Sequence, residues 1–246
     1  MKAIIYGILE GITEWLPVSS TGHLILLKDF FPLNVSSNFW SLFEVVIQLG
    51  AVMAAIMLYF DKIWPFKKNY KEVLCLWSKI IISCLPACFI GLLFDDFFEK
   101  YFYNKISISI SLIVVGILFI IVEKYYKNDG LNKITFKNAF LIGLSQVIAA
   151  IFPGTSRSGI TILCSLLLGI SREDATEFTF LMSIPVMFGA SFLKLFKFGF
   201  VFLESEVIIL MLGVISSFVT SLFILGFYLI MLRRIILFFL VIIELF

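Results

Sequence analysis

Gly7-Ile8-Leu9-Glu10-Gly11-Ile12-Thr13-Glu14-Trp15-Leu16-Pro17-Val18-Ser19-Ser20-Thr21-Gly22-His23-Leu24 decides how this chain is read. The stretch lies in an apolar region, 3–28, that carries two carboxylates and breaks at Pro17-Val18-Ser19-Ser20-Thr21-Gly22. Pro17 is expected to stop one half-helix, and Ser19, Ser20 and Thr21 all suit the cap of the next. Each half is too short to cross ~30 Å of hydrocarbon at ~1.5 Å per residue. Non-helical backbone at membrane depth is tolerated where protein buries it or where it lines a cavity. The segment therefore reads as a re-entrant helical hairpin. A second apolar region, 138–170, breaks in the same manner at Pro153-Gly154-Thr155-Ser156-Arg157-Ser158-Gly159.

The composition requires a membrane. Of 246 residues, 61% are hydrophobic and 15% charged, with 29 Phe, and the mean hydropathy is +1.08. A soluble surface needs nearer ~25% charge. A soluble enzyme, a disordered chain and a nucleic-acid-binding module are all excluded, and the net charge of +2 points to no polyanionic partner. Apolar runs of spanning length fall near 38–60, 80–95, 107–123, 178–196, 206–230 and 231–246. The run at 80–95 is short and holds Pro86, and Met182-Ser183-Ile184-Pro185 reads as a Pro-broken helix. Glu10 and Glu14 are foreign to a signal sequence's apolar core, so the N-terminal run is expected to insert uncleaved. Cys75, Cys84, Cys88 and Cys164 lack metal-ligand spacing and read as inert buried thiols.

The broken regions resemble each other at an offset of 136: Gly7 aligns with Gly143, Glu10 with Gln146, Ile12 with Ile148, Pro17 with Pro153 and Ser20 with Ser156. Each is followed by three spanning runs. Three is odd, so a second copy must enter the membrane the other way up. The fold class expected is an all-α polytopic membrane protein with two inverted-topology repeats, each a re-entrant hairpin followed by three transmembrane helices. The chain, 1–246, is then a single integral membrane domain with repeats at 1–125 and 138–246. Lys62, Lys67, Lys68, Lys71 and Lys79 share a side with Lys124, Lys127, Lys133 and Lys137, and Arg233 and Arg234 join them. The positive-inside rule makes that side cytoplasmic. Asp95, Asp96, Glu99, Glu204 and Glu206 fall outside, while Lys194 and Lys197 count against this orientation. The first hairpin enters from the outer face and the second from the cytoplasm.

Charge inside apolar segments costs at least ~2.5–3.5 kcal/mol per residue and marks function. Glu10 and Glu14, at i,i+4, share a helix face. Two such carboxylates either share a proton, contact Arg157, or hold a divalent cation, for which hard oxygen ligands suit Mg²⁺ or Ca²⁺. Ser19, Ser20 and Thr21 sit at a half-helix N-terminus, which suits a phosphate. His23, the lone histidine, follows within one turn of Ser20 and is placed to move a proton. Arg157 offers a fork of donors for phosphate oxygens, with a counter-ion role to Glu10 or Glu14 as the alternative. Gln48 and Glu44, at i,i+4, read as interhelical hydrogen-bonding groups or supports of the site. Arg172-Glu173-Asp174 reads as a solvated helix start. This inventory suits metal-assisted cleavage of a phosphate ester or anhydride.

The residues quoted also carry a resemblance. Gly7 to Leu24 is similar to the glutamate-rich signature of bacterial undecaprenyl-diphosphatases, and Phe43-Glu44-Val45-Val46-Ile47-Gln48-Leu49-Gly50 resembles a second family block. Pro153-Gly154-Thr155-Ser156-Arg157-Ser158-Gly159-Ile160-Thr161 resembles the family's Pro-Gly-x-Ser-Arg-Ser-Gly-x-Thr motif, and Glu177 to Pro185 resembles the block after it. The similarity extends to about residue 230. It implies an integral enzyme of the bacterial plasma (inner) membrane, and the charge bias places its site open to the outer face. The enzyme would convert undecaprenyl diphosphate to undecaprenyl phosphate and inorganic phosphate, recycling the carrier for cell-wall polymers and conferring bacitracin resistance. Glu10 and Glu14 match the family's essential glutamates, and His23 and Arg157 its essential histidine and arginine. Ser20 matches the nucleophile proposed for it, and Ser156 and Thr161 match phosphate-site hydroxyls. The expected catalytic set is Glu14, Ser20, His23 and Arg157. The phosphate-binding set is Arg157, Ser156, Thr161, Ser19 and Thr21, and Glu10 and Glu14 are the metal ligands. The expected partner is a polyprenyl diphosphate lipid in the membrane, with no nucleic acid, and a homodimer stays open. Ser20 would attack with His23 moving its proton, or water would attack directly. The competing classes are a secondary transporter or flippase, which shares this architecture, and a non-catalytic scaffold.

Overall fold

A computed structural model describes residues 1–66, 70–126 and 132–231. The sixth apolar run, Arg233, Arg234, Lys67, Lys68 and Lys127 lie outside the described residues. Helices account for the regular structure there: α1 (Lys2–Thr13), α2 (Ser20–Phe30), α3 (Ser37–Val46), α4 (Gln48–Leu58), α5 (Phe60–Ile63), α6 (Tyr70–Phe102), α7 (Lys105–Tyr125), α8 (Phe136–Ile151), α9 (Arg157–Leu167), α10 (Arg172–Phe198) and α11 (Glu204–Met231). Among the described residues the β structure is one isolated bridge, Asn132 to Ile170. Among the described residues five stretches are long and apolar enough to span a membrane: Ser37–Leu58, Tyr70–Phe94, Lys105–Val122, Arg172–Phe198 and Glu204–Phe227.

The expectations for Pro185 and Pro17 are corrected. α6 runs unbroken for 33 residues through Pro86, and α10 for 27 residues through Pro185. Proline removes one donor and crowds one carbonyl, whereas ending a helix in an apolar medium strands a whole turn of backbone groups, so the helix persists. Pro17 does not stop α1 either. That helix ends at Thr13 with Glu14 as its C-cap, so the turn begins ahead of the proline. The first spanning run is interrupted at Ile47 instead, where the Gly50 N–H reaches back only three residues, to Ile47 O, at 3.1 Å. Helix starts follow the capping hydroxyls and amides: Ser36, Asn104, Thr135 and Ser171 each accept a backbone N–H, a contact worth about 1 kcal/mol. Ser171 thereby opens the Arg172-Glu173-Asp174 turn as expected.

The outer surface is apolar, and polar groups are buried inside alongside an apolar core. Ile106 and Phe223 are each 74% exposed, whereas Glu10 is fully buried, along with Ser83, Ser165, Thr176 and Ser217. An aqueous surface would not tolerate this arrangement, but a lipid-facing one favours it. The cysteines are free thiols, and none is fully buried as the sequence suggested: Cys88 is exposed and Cys75, Cys84 and Cys164 are half-buried, because a thiol costs little against lipid. One aromatic cluster sets Tyr6 edge-on to Trp40 and Phe43. Another sets Trp15, just after α1, edge-on to Phe180 of α10.

The two broken segments dock alike. α1 lies along α11 and α8 lies along α6. A Cβ on Gly7 would fall 2.0 Å from Ser216 Oγ and 2.3 Å from Gly213 O, and one on Gly143 would fall 2.1 Å from Ser83 O. Only a missing side chain allows helices this close. The feet of the segments lie at opposite ends of α7. Lys105, its first residue, pairs with Asp29 near the end of α2, and Lys2 Nζ reaches Pro32 O at that same foot. Tyr126, just past its last residue, donates to Ile170 O beyond α9, where Asn132 Nδ2 also bonds Leu168 O. A helix of 21 residues separates these feet by about 30 Å.

Candidate active site

The turns following α1 and α8 meet in the interior. Ser19 caps α2 by accepting from Gly22 N–H at 3.1 Å, and Ser156 caps α9 by accepting from Gly159 N–H at 3.0 Å. Ser20 and Arg157 are therefore the first residues of their helices. The cap of α9 falls one residue off the sequence alignment, which paired Ser156 with Ser20. Gly154 makes the second turn possible. Its φ is +91°, and a Cβ there would meet Ile108 O at 2.7 Å.

One chain of hydrogen bonds crosses between the turns. Ser20 Oγ donates to Glu14 Oε2 at 2.8 Å, and an Arg157 terminal nitrogen donates to Glu14 Oε1, also at 2.8 Å. The Glu14 and Arg157 side chains are 6% and 14% exposed. Ser158 Oγ donates to Leu16 O at 3.0 Å, stapling the second turn onto the first. Arg157 is further steered by Thr179 O at 3.4 Å. The counter-ion contact weighed against a phosphate role for Arg157 is thus present, and it orients the guanidinium at the wall of a cavity. That cavity, about 120 Å³, is lined by Glu14, Ser19, Ser20, Thr21, Gln48, Thr155, Ser156, Arg157 and Ser158, with Val186 and Met187 opposite.

Other expected residues stand away from the cavity wall. Thr161 Oγ1 donates to Arg157 O at 2.9 Å and meets Thr179 Oγ1 at 3.1 Å, so it braces the arginine's helix from beneath and does not line the cavity. His23 does not line it either. Its Nδ1 sits 2.6 Å from Ser19 O. A carbonyl only accepts, so Nδ1 carries the proton and Nε2 is the nitrogen able to take one. Glu10 is fully buried beside Glu14, and neither of its carboxylate oxygens has a hydrogen-bond partner. Gln146, at the corresponding position of the second segment, is likewise buried with both amide atoms unpartnered.

Sequence reasoning missed Thr155, Ser158 and Thr179. The hydroxyl-rich turn hinted at the first two, but nothing in the pattern signals that Thr179 supplies a backbone carbonyl. Gln48 lines the cavity, and Glu44 accepts from Tyr103 OH, so both polar interruptions of the first span point inward.

Fold and site together define a polytopic helical membrane protein with a charged, hydroxyl-lined pocket between two broken helices. The chain belongs to the family of bacitracin resistance protein BacA, whose match covers residues 3–245 and so runs past residue 230, to which the similarity was read. It is 51% identical to undecaprenyl-diphosphatase 1 of Clostridium acetobutylicum over 95% of this chain and 89% of that one. It is 54% identical to the undecaprenyl-diphosphatase of Desulfitobacterium hafniense, covering 89% and 83%, and 56% identical to that of Enterococcus faecalis, covering 89% and 84%.

Proposed function

We propose that this chain is a membrane phosphatase that converts undecaprenyl diphosphate to undecaprenyl phosphate and inorganic phosphate. It would thereby recycle the lipid carrier of cell-wall synthesis and deplete the diphosphate that bacitracin sequesters. The observation that carries the reading is the Ser20–Glu14–Arg157 chain across two helix N-termini. Arg157 and the free N–H groups of the two half-helices hold the terminal phosphoryl oxygens. Ser20 Oγ attacks the terminal phosphorus, and its proton passes to Glu14, the group it already contacts. The bond from that phosphorus to the bridging oxygen breaks, and the lipid monophosphate leaves. Water then attacks the phosphoserine phosphorus, inorganic phosphate leaves, and the proton held by Glu14 returns to Ser20 Oγ. This assignment moves the first proton transfer from His23 to Glu14.

Glu10 and Glu14 suit a divalent cation. An orphaned, fully buried carboxylate beside a second one is stable only protonated or neutralised by a cation. Among the described residues no third His, Cys, Asp or Glu joins them, which suits Mg²⁺, an ion that keeps waters and takes substrate phosphate oxygens as ligands, or Ca²⁺. Such an ion would supply neutralisation of phosphate charge.

The architecture we infer is a single domain of two inverted repeats, 1–125 and 138–246, each led by a re-entrant hairpin. The docking of α1 on α11 and of α8 on α6, with feet at opposite ends of α7, supports it. By the lysine bias the foot near Asp29 is the outer one, so the pocket opens outward from a bacterial plasma membrane.

The deciding experiment measures inorganic phosphate released from a polyprenyl diphosphate by purified protein in detergent, with Mg²⁺ and with excess EDTA. Release that depends on Mg²⁺ is expected. No release would reject the phosphatase in favour of a transporter, which needs a sealed membrane. Full turnover in EDTA would remove the ion alone.

A further inference from the structure

His23, the chain's only histidine, takes no step in the hydrolysis. It stands outside the cavity, half-buried on α2 about one turn beyond Ser20. Its ring is nonetheless held. Nδ1 donates to Ser19 O at 2.6 Å, and the His23 backbone N–H donates to the same oxygen at 3.1 Å. One carbonyl thus takes two donors from one residue. The Ser19 side chain is tied down as well, because its Oγ accepts from Gly22 N–H.

That carbonyl belongs to the peptide unit whose nitrogen is Ser20's. The unit is planar and trans, so the Ser20 N–H points opposite to Ser19 O. Ser19 O points along α2 toward His23, and the Ser20 N–H therefore points out of the helix's first turn, where Ser19, Ser20 and Thr21 line the cavity. Fixing the carbonyl fixes this amide and the Cα–Cβ bond that carries the Ser20 hydroxyl. A second donor on the oxygen also polarises the peptide and makes its N–H a stronger donor. The other half-helix lacks the device. Four residues after its cap stands Ile160, whose N–H reaches Ser156 O at 2.9 Å but whose side chain has nothing to donate. The extra donor is found at the turn that presents a hydroxyl, and not at the turn that presents Arg157.

We propose that His23 is a positioning residue. Its neutral imidazole clamps the Ser19–Ser20 peptide through Nδ1–H, and so aims the Ser20 hydroxyl and amide at the terminal phosphoryl group. It exchanges no proton during turnover. The inference rests on the phosphatase reading.

The test uses the full chain in detergent. Because His23 is the only histidine, nitrogen-15 labelling of histidine gives the magnetic resonance signals of one imidazole. In the neutral ring the proton is expected on Nδ1, and a proton resident on Nε2 would overturn the proposal without reference to turnover. Substitutions then name the working nitrogen. Asparagine sets an amide N–H where Nδ1 stands, and glutamine sets one where Nε2 stands. With a polyprenyl diphosphate as substrate, H23A should lower kcat roughly 10- to 10²-fold with little change in melting temperature. H23N should recover most of that loss and H23Q little. Recovery by H23Q instead of H23N, or by neither, would overturn the clamp. So would a wild-type kcat in H23A, or a loss of activity that only follows the melting temperature. Wild-type protein that releases no phosphate would reject the phosphatase reading, and the labelled ring would still decide whether Nδ1 holds Ser19.

Discussion

The turn after α1 and the turn after α8 use one backbone device for opposite chemistries. Each ends in a serine that caps a half-helix, and each leading helix is pressed against a long span through a glycine. The first residue inside the helix differs: Ser20 in one, Arg157 in the other. The leading helix differs as well, carrying Glu10 and Glu14 in the first segment but Gln146 in the second. The acidic turn alone would hold repelling carboxylates in low dielectric, and the basic turn alone a stranded guanidinium. Each becomes tolerable because the other faces it. The comparison teaches that the site is a property of the pair.

The largest expected effect comes from breaking the pairing itself. Arg157→Ala and Glu14→Gln each remove a partner from a buried contact, so phosphate release should fall on the order of 10³-fold. Thermal or denaturant unfolding should show Arg157→Ala destabilised by about 3–5 kcal/mol. Arg157→Lys should rescue little, because a point charge cannot span Glu14 and a phosphate as a planar fork does. Phosphate release preserved in all three would remove the Glu14–Arg157 contact from the catalytic machinery.

Next comes the contrast between the first helical residue and its cap. Ser20→Ala should lower kcat by at least about 10²-fold. Ser19→Ala should cost about 1 kcal/mol of stability and much less activity. Rate assays and melting curves on both variants separate the roles, and equal mild losses would favour direct attack by water.

The smallest effect tests the likeness of the two dockings. Gly7→Ala and Gly143→Ala each place a methyl where a neighbouring helix already stands, so both should lower stability by about 1–3 kcal/mol. Similar shifts in melting temperature would sharpen the comparison. A shift in one variant alone would break it.

Much of this was legible beforehand because membrane segments obey a simple rule. Long apolar runs become helices, and charges or prolines inside them stand out. Four of the five spans found lie where their apolar runs do, and the fifth, α6, extends well past its run on both sides. The errors share a cause. Pro185 was read as a break, and Pro17 as a stop, because local propensity was weighed without the penalty for leaving backbone unsatisfied in an apolar surround. His23 was assigned the proton of Ser20 from proximity in sequence, but the two lie on one short helix and point to different partners: Ser19 O for the imidazole, Glu14 for the hydroxyl. Thr161 was read as a phosphate ligand from its motif, while its hydroxyl turns back into its own helix.

Composition and pattern by themselves determined that this is a helical membrane protein, that two segments are broken, and which residue types carry charge into its interior. These follow from transfer energies and helical repeat, which are local properties. Which groups touch was decided only by tertiary structure. Glu14 and Arg157 stand 143 positions apart, and no periodicity within either segment says that two close glycine-mediated dockings will bring them within hydrogen-bonding reach.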